Sequence, residues 1–286
     1  MFKVSIGLPV YNGEDYLEEA LDSILSQDFN DFELLISDNA SNDRTHEICQ
    51  DYASDDRRIR YHRNENNLGA APNFNQLFKM SKGKYFKWSS HDDLLHKKFL
   101  SECVKILDLD DQIVLCFSKA KCIDKYGQFI FNFDYASDYG SGSLCDRFYG
   151  QVIYLHPCLH VFGLMRSKML AQTYLIGPFS ASDRVLLAQL ALLGEFYIVD
   201  EYLFFKRKHD NNSIKQYPSR RSRLFWFDTS KKNRIYFPEW KLLFQYYSTV
   251  MRSKLPYTYK LECLCIVSRY AYIKKKRLIK DLFLKK

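Results

Sequence analysis

Two adjacent carboxylates, Asp92 and Asp93, close the short aromatic run Tyr85-Phe86-Lys87-Trp88, with Ser90 and His91 just before them. Side by side at the end of a buried strand they repel each other, so a cation or a dedicated set of donors has to compensate them. Hard oxygen ligands beside a phosphate site suit Mg²⁺ or Mn²⁺. A plainer role also exists, because Asp93 precedes Leu94-Leu95 and a helical-looking stretch over 97–107, where one Asp would serve as an N-cap. Two carboxylates exceed that need, which favours the cation.

Two other polar segments end apolar runs in the same half of the chain: Pro9-Val10-Tyr11-Asn12 and Asp38-Asn39-Ala40-Ser41. Asp38 on its own reads as the start of a turn. Three such ends make sense together if the runs are strands of one sheet, because ligands of open α/β sheets bind at the carboxyl ends of the strands. An Asp leaving a strand there is placed to accept from a base N–H or a ribose hydroxyl.

The elements that must position these residues follow from periodicity. Apolar runs predict strands over 3–8, 32–37, 59–62, 85–89 and 113–117, with Pro9 ending the first. Helical spacing predicts helices over 16–27, 43–52, 74–80 and 97–107, the second capped by Ser41-Asn42-Asp43. Strands alternating with helices specify a doubly wound, mostly parallel sheet with helices on both faces. From 123 to 142 the pattern dissolves into turns. Residues 164–170 and 184–193 read as helices, and 196–199 and 202–205 as two strands.

A chain of 286 residues can bury a full core. No apolar stretch approaches the ~18–20 residues that span a bilayer, and the start runs into a strand-like segment with no secretory pattern. The eight cysteines show no Cys-x-x-Cys spacing, so reduced thiols are expected rather than zinc or a disulfide framework. Charge is split: residues 1–205 carry 20 Lys and Arg against 29 Asp and Glu, and residues 206–286 carry 22 against 5. These are two surfaces with different partners. Within 270–286, Ile279, Leu282 and Phe283 alternate with Lys276 and Lys280, a pattern suited to an anionic membrane surface; a helix packed on the body would look similar. No nucleic-acid fold accompanies the charge, and nucleic acid is not an expected partner.

Taken as a set, the segments resemble glycosyltransferase family 2, inverting enzymes of GT-A fold. The resemblance rests on Ile6 to Asn12, Leu35 to Asp43, Asn67-Leu68-Gly69 leading to Asn73, Gly83-Lys84-Tyr85 and Asp92-Asp93, then more weakly on Ser182-Asp183 and Arg207-Lys208-His209. It covers roughly the first 120 residues closely and nothing past about 215. It implies a nucleotide pocket lined by Pro9, Val10, Tyr11, Asn12, Asn39, Ser90 and His91, with Tyr11 near the base. Asp38 would take the base edge, and Asp43 would hold the pocket or cap the helix. Asp92, with Asp93 and His209 beside it, would hold Mg²⁺ or Mn²⁺ at the diphosphate. Asp183 would be the general base, although taken alone it reads as an N-cap, and His209 alone as a surface histidine. Ser90 stands where the family's acidic motif has its first Asp.

The expected division is a GT-A-like nucleotide-sugar transferase domain over 1–215 and a basic, aromatic helical extension over 216–286. The expected function is inverting transfer from a nucleotide-sugar donor, UDP-linked by preference, to a glycan or lipid-linked saccharide acceptor of the cell envelope. The expected place is the cytoplasm, at the inner membrane face if the tail binds lipid. A nucleotidyltransferase would need a cationic phosphate loop after the first strand, where the chain has Gly13-Glu14-Asp15. A non-catalytic nucleotide-sugar-binding subunit is the other alternative, prompted by Ser90.

Overall fold

The computed structural model describes residues 2–133, 140, 142–154, 156–210, 216–231 and 237–283. The last three residues of the cationic tail and the 215 side of the expected domain boundary lie outside them.

Strands β1 (Val4–Val10) and β2 (Phe32–Asp38) are buried at every position, as strands covered on both faces must be. β1 pairs in parallel with β2 and with β4 (Tyr85–Trp88), and β2 pairs in parallel with β3 (Ile59–Arg63). This parallel half is the expected doubly wound unit. Its side chains alternate between two cores. Ile6, Leu8, Leu34 and Ile36 meet α1 (Leu17–Leu25), α2 (Thr45–Asp55) and α4 (Phe99–Leu109) on one face. Leu35, Phe86 and Trp88 meet α3 (Ala70–Met80) on the other. Full burial of each such side chain contributes about 1.5–3 kcal/mol.

Pro9 does not end β1. The Ser89 N–H donates to the Gly7 carbonyl as β4 stops, so the proline nitrogen two residues on falls where its neighbour has already turned away.

Beyond β4 the sheet becomes mixed, in the order β3-β2-β1-β4-β8-β6-β9-β5. Two expectations change here. Residues 164–170 are not one helix: Leu164–Arg166 forms β8, antiparallel to both β4 and β6 (Ile113–Ile123), and only Ser167–Leu170 turns helical as α6. The open edges of β4 and β6 offer backbone partners that outweigh local helical preference. The two strands expected over 196–205 are one, β9 (Glu195–Arg207), parallel to β6 with register shifts that absorb its length. The region after 123 holds a hairpin strand, β7 (Phe129–Phe133), against β6. The two-residue β5 (Leu94–Leu95) follows the acidic pair and joins β9 antiparallel, Leu94 opposite Phe205. That short pairing sets the end of β9 against Asp92 and Asp93.

A third core lies among α5 (Leu144–Ile153), α7 (Ser182–Ala191) and the later helices α9 (Pro238–Arg252) and α10 (Tyr257–Ile273), built on Phe148, Val185, Leu243, Tyr246, Cys263 and Val267. The final helix, α11 (Lys275–Phe283), docks through buried Leu278 and Asp281, whose Oδ2 accepts from the Glu239 N–H at the start of α9 (3.0 Å). Its other side exposes Ile279, Leu282 and Phe283. Among the described residues, no helix is long and apolar enough to cross a membrane. The eight cysteines are free thiols.

Lys87 is the anomaly of the core. It is wholly buried in β4, its Nζ donates to the Trp88 carbonyl at 3.0 Å, and it faces the Phe99 ring. Burial pulls its ammonium down to about 7. Replacing a poorly compensated buried charge by an apolar group of similar volume is stabilising, so Lys87→Met is expected to gain about 1–3 kcal/mol in urea unfolding. Between pH 7 and the ordinary lysine value the unfolded chain binds a proton that the folded chain has released. Lys87 therefore destabilises the fold most below about pH 7, and that penalty is relieved as pH rises across the window. The variant should lose this slope; an unchanged slope would show that Lys87 is not its source.

Candidate active site

The loops after β1 and β2 are tied together by side-chain caps. Ser41 Oγ accepts from the Asn12 N–H and Thr45 Oγ1 from the Gly13 N–H, both at 2.9 Å. Asn12 Oδ1 accepts from the Asn42 N–H (3.0 Å), and Asp43 accepts from the Glu14 and Thr45 N–H groups. Burial alone would raise the Asp43 carboxyl, but these bonds outweigh it and hold it below its ordinary value. Asp43 thus holds the first N–H of α2, ahead of the cap residue Arg44, and lines the cleft as well. Gly13 is required by space: a Cβ there would sit 2.6 Å from Val10 and 2.7 Å from the His91 ring.

Asp38 does not reach the cleft. It is fully buried, and its oxygens accept from the Ser41 N–H (2.8 Å) and the Tyr61 hydroxyl (2.9 Å), with Arg63 at 3.4 Å. Its carboxylate oxygens are thus engaged by protein donors. Asn39 and Asp43 are the residues that this strand end presents to the cleft.

The two carboxylates of the acidic turn part company. Asp93 points inward: Oδ1 accepts from the Arg207 N–H (2.9 Å) and lies 3.1 Å from Lys206 Nζ. It does not line the cleft, so the metal-ligand role expected of it gives way to an internal ion pair. Burial pushes its carboxyl up to about 6 against the pull of Lys206. Burial opposes the Lys206 charge too, but Asp93 and Asp92 outweigh it and hold the ammonium above the usual lysine range.

Asp92 faces the cleft. Its Oδ2 accepts from His209 Nε2 at 2.8 Å, its Oδ1 from the Ser90 hydroxyl, and Lys206 Nζ is 3.9 Å away. Burial would raise this carboxyl; Lys206, His209, His91 and Ser90 together hold it far below the ordinary range. The His209 ring packs on Tyr16, with centroids 4.8 Å apart and planes tilted by 55°. Arg207, buried behind them, donates to the Asp92 carbonyl (3.0 Å) and pairs with Glu19 (2.7 Å), fastening the strand end to α1.

The cleft between these loops encloses about 730 Å³. Of the expected residues, Pro9, Val10, Tyr11, Asn12, Asn39, Asp43, Ser90, His91, Asp92 and His209 line it; Asp38, Asp93 and Asp183 do not. Asp183 lies half-buried in the first turn of α7. It is not the cap of that helix, a position held by Ala181 in a left-handed conformation (φ 65°). Burial raises its carboxyl, with Arg184 and Cys158 opposing.

Lys206, Tyr16, Asn67, Asn73 and Phe74 also line the cleft, as do Gln216, Tyr217, Phe225, Trp226 and Thr229 from beyond residue 215. None of these was singled out by sequence for this role. Lys206 carried one usable signal, a lysine two residues before the Lys208-His209 pair at a strand end.

A family model for glycosyl transferase family 2 matches residues 5–167, which hold β1 to β8 and the whole acidic turn. The chain belongs to this family. An uncharacterized glycosyltransferase of Methanocaldococcus jannaschii is 28% identical over 261 residues, 87% of each chain. The abequosyltransferase of Salmonella typhimurium is 40% identical over 119 residues, 41% of this chain and 36% of its own length. Matches to three Rickettsia glycosyltransferases span only 19%, 64% and 37% of those proteins. Among solved structures, S. aureus TarS 1-349 in complex with UDP-GlcNAc superposes with TM-score 0.71 at 18% identity, covering 98% of this chain and 80% of that one. A mannosyltransferase of Pyrobaculum calidifontis, in complex with GDP-Man and Mn²⁺, gives TM-score 0.61 at 14% identity, covering 98% and 73%. These likenesses establish a GT-A fold.

Within a family 2 fold the donor set can be tested against a divalent cation. Among the described residues, no three His, Cys, Asp or Glu side chains converge as a ready cage. Asp92 Oδ2 and His209 Nε2 do meet on the cleft wall, and a cation bound beside phosphates needs only one or two protein ligands. The pair fits; Asp93 does not.

Lys206 compensates the two neighbouring carboxylates without any outside ion. Lys206→Met should therefore cost about 3–5 kcal/mol in chemical unfolding, the usual loss when a buried pair is broken. Mn²⁺ should then raise the melting temperature of the variant more than that of the parent. An equal Mn²⁺ effect on both would count against this reading of the cluster.

Proposed function

We propose that this chain transfers a sugar from a nucleoside-diphosphate donor to a hydroxyl acceptor, with inversion. One observation carries the reading: a single cleft at the carboxyl ends of β1, β2 and β4 gathers Asp92, His209 and Lys206 at one wall and the Tyr11 loop at another. The first group suits a diphosphate and the second a nucleoside. UDP-sugar is the donor class we favour, on the likeness to TarS in complex with UDP and UDP-GlcNAc. The acceptor we favour is a glycan or a lipid-linked saccharide.

Inverting transfer is an in-line displacement in which the acceptor hydroxyl loses its proton as it attacks. Asp183 is our candidate base. Its raised carboxyl comes from burial rather than from an ion pair, which is the environment a proton acceptor needs. Asp92 and His209 would hold a divalent cation, Mg²⁺ or Mn²⁺, which when bound offsets the charge of the departing diphosphate. Lys206 adds a fixed positive charge to that wall, and Arg207 with Ser90 orients Asp92. Asp38 acts through Ser41 and Tyr61, holding the strand end on which Asn39 and Asp43 sit.

The test is product formation from UDP-sugars by the full chain. Asp183→Asn is expected to lower kcat by about 10²–10⁴-fold with donor affinity and melting temperature nearly unchanged. A loss of stability with intact kcat would make Asp183 structural. Asp92→Asn should abolish the strengthening of UDP binding by Mn²⁺, seen by calorimetry; a variant that still responds would move the cation elsewhere. For the exposed face of α11, beside Lys276 and Lys280, we propose contact with anionic lipid. Retention on anionic but not neutral vesicles, weakening with salt, checks it.

A further inference from the structure

One side of the cleft is built by chain that comes after the last strand. Helix α8 (Arg220–Phe227) opens on a capping box in which Ser219 Oγ accepts from the Ser222 N–H at 3.0 Å. Leu224 is buried, and Phe227 packs on the same core as Phe74 and Ala71 of α3. At its far end the segment is fastened twice. Thr229 Oγ1 donates to the Asn67 carbonyl at 2.9 Å, and Asp228 lies so close to Gly69 that a Cβ there would come within 2.8 Å of its backbone. Gly69 also adopts φ +88°, so both its conformation and its lack of a side chain are needed. Residues 216–231 are thus a strap fastened to the Asn67–Gly69 turn and packed on α3.

The strap turns aromatic side chains to the cleft. Tyr217 and Trp226 lie 6.0 Å apart with rings 31° from parallel, and Arg223 Nε donates to the Tyr217 carbonyl (3.0 Å), bracing the pair. Tyr217 and Tyr11 line the same cleft, and burial, then Tyr11, raise the Tyr217 phenol. Tyr11 itself is 37% exposed and lines the cleft between Val10 and Asn12.

We propose that Tyr217 and Trp226 form an aromatic platform which, together with Tyr11, holds the nucleobase of the donor. The inference rests on the transfer reading above and deepens it. A nucleoside diphosphate is charged at one end and flat at the other. The cleft pairs Lys206 and His209 with the charged end, which leaves the aromatic wall for the flat one. Aromatic stacking on a base contributes enough to be read directly in affinity.

The experiment compares the full chain with Tyr217→Ala, Trp226→Ala and Trp226→Phe by calorimetry, using the tightest binder among UDP, GDP, CDP and ADP, and inorganic diphosphate alongside. Either alanine variant is expected to weaken the nucleotide by about five- to 150-fold. Inorganic diphosphate should bind as before, and Trp226→Phe should restore most of the loss. An equal weakening of inorganic diphosphate would mean that the strap acts on the cleft as a whole, and the platform would be rejected. Unchanged nucleotide affinity beside weakened UDP-GlcNAc binding would assign the rings to a sugar and overturn the base assignment. A parent chain that binds no nucleoside diphosphate sinks both this inference and the transfer reading. A parent that binds one, with indifferent variants, sinks this inference alone.

Discussion

The ammonium of Lys206 stands between two buried neighbouring carboxylates, 3.1 Å from Asp93 and 3.9 Å from Asp92. Without it the acidic turn would hold an unshielded pair of like charges on largely buried carboxylates, which favours the binding of a proton. Its position is in turn set by backbone. The two residues Leu94-Leu95 pair with Phe204 and Phe205, so the next residue along β9 arrives at the turn. Arg207 then secures the arrangement from behind through its own N–H, the Asp92 carbonyl and Glu19. Two hydrogen-bonded residues thus decide where the charge of the site resides.

The same arrangement separates two tasks that look identical in sequence. Asp93 satisfies the fold, while Asp92 is left at the cleft surface with His209 and Ser90. A serine at position 90 is then no deficiency: its hydroxyl donates to Asp92, whereas an acid there would add a third negative charge to a turn with one ammonium to share. The departure from the family's acidic motif and the presence of Lys206 are two parts of one electrostatic solution.

The parallel half of the sheet was legible because each strand is short, continuous and apolar, and because each helix between them shows one buried stripe, as Leu17, Leu21 and Ile24 do. The strand-end part of the cleft wall was legible for a related reason, since polar residues that end such strands have few structural excuses. Failures occurred where partners lie far away in sequence. Leu164–Arg166 reads as helix until β4 and β6 appear on either side of it. Asp38 reads as a ligand until Tyr61 and Arg63, carried by β3, take its oxygens. Tyr217 and Trp226 sit in a basic, aromatic stretch whose composition says only that it is a surface, and nothing local links them to Asn67 or Gly69.

That last link has a temporal side. Thr229 and Asn67 are 162 residues apart along the chain, and the docking surface on α3 exists only once β1, β2 and β3 have assembled. Contacts of such long range are slow to form, because the loop entropy is spent before the contact repays it. The parallel half can condense from sequence neighbours, so the cleft acquires its floor early and its aromatic wall late. Local unfolding should run in the reverse order, with the 216–231 segment among the first to exchange its amide protons and the β1–β2 pair among the last. The charged wall is late as well, because His209 and Lys206 come to Asp92 and Asp93 from 117 and 113 residues along the chain.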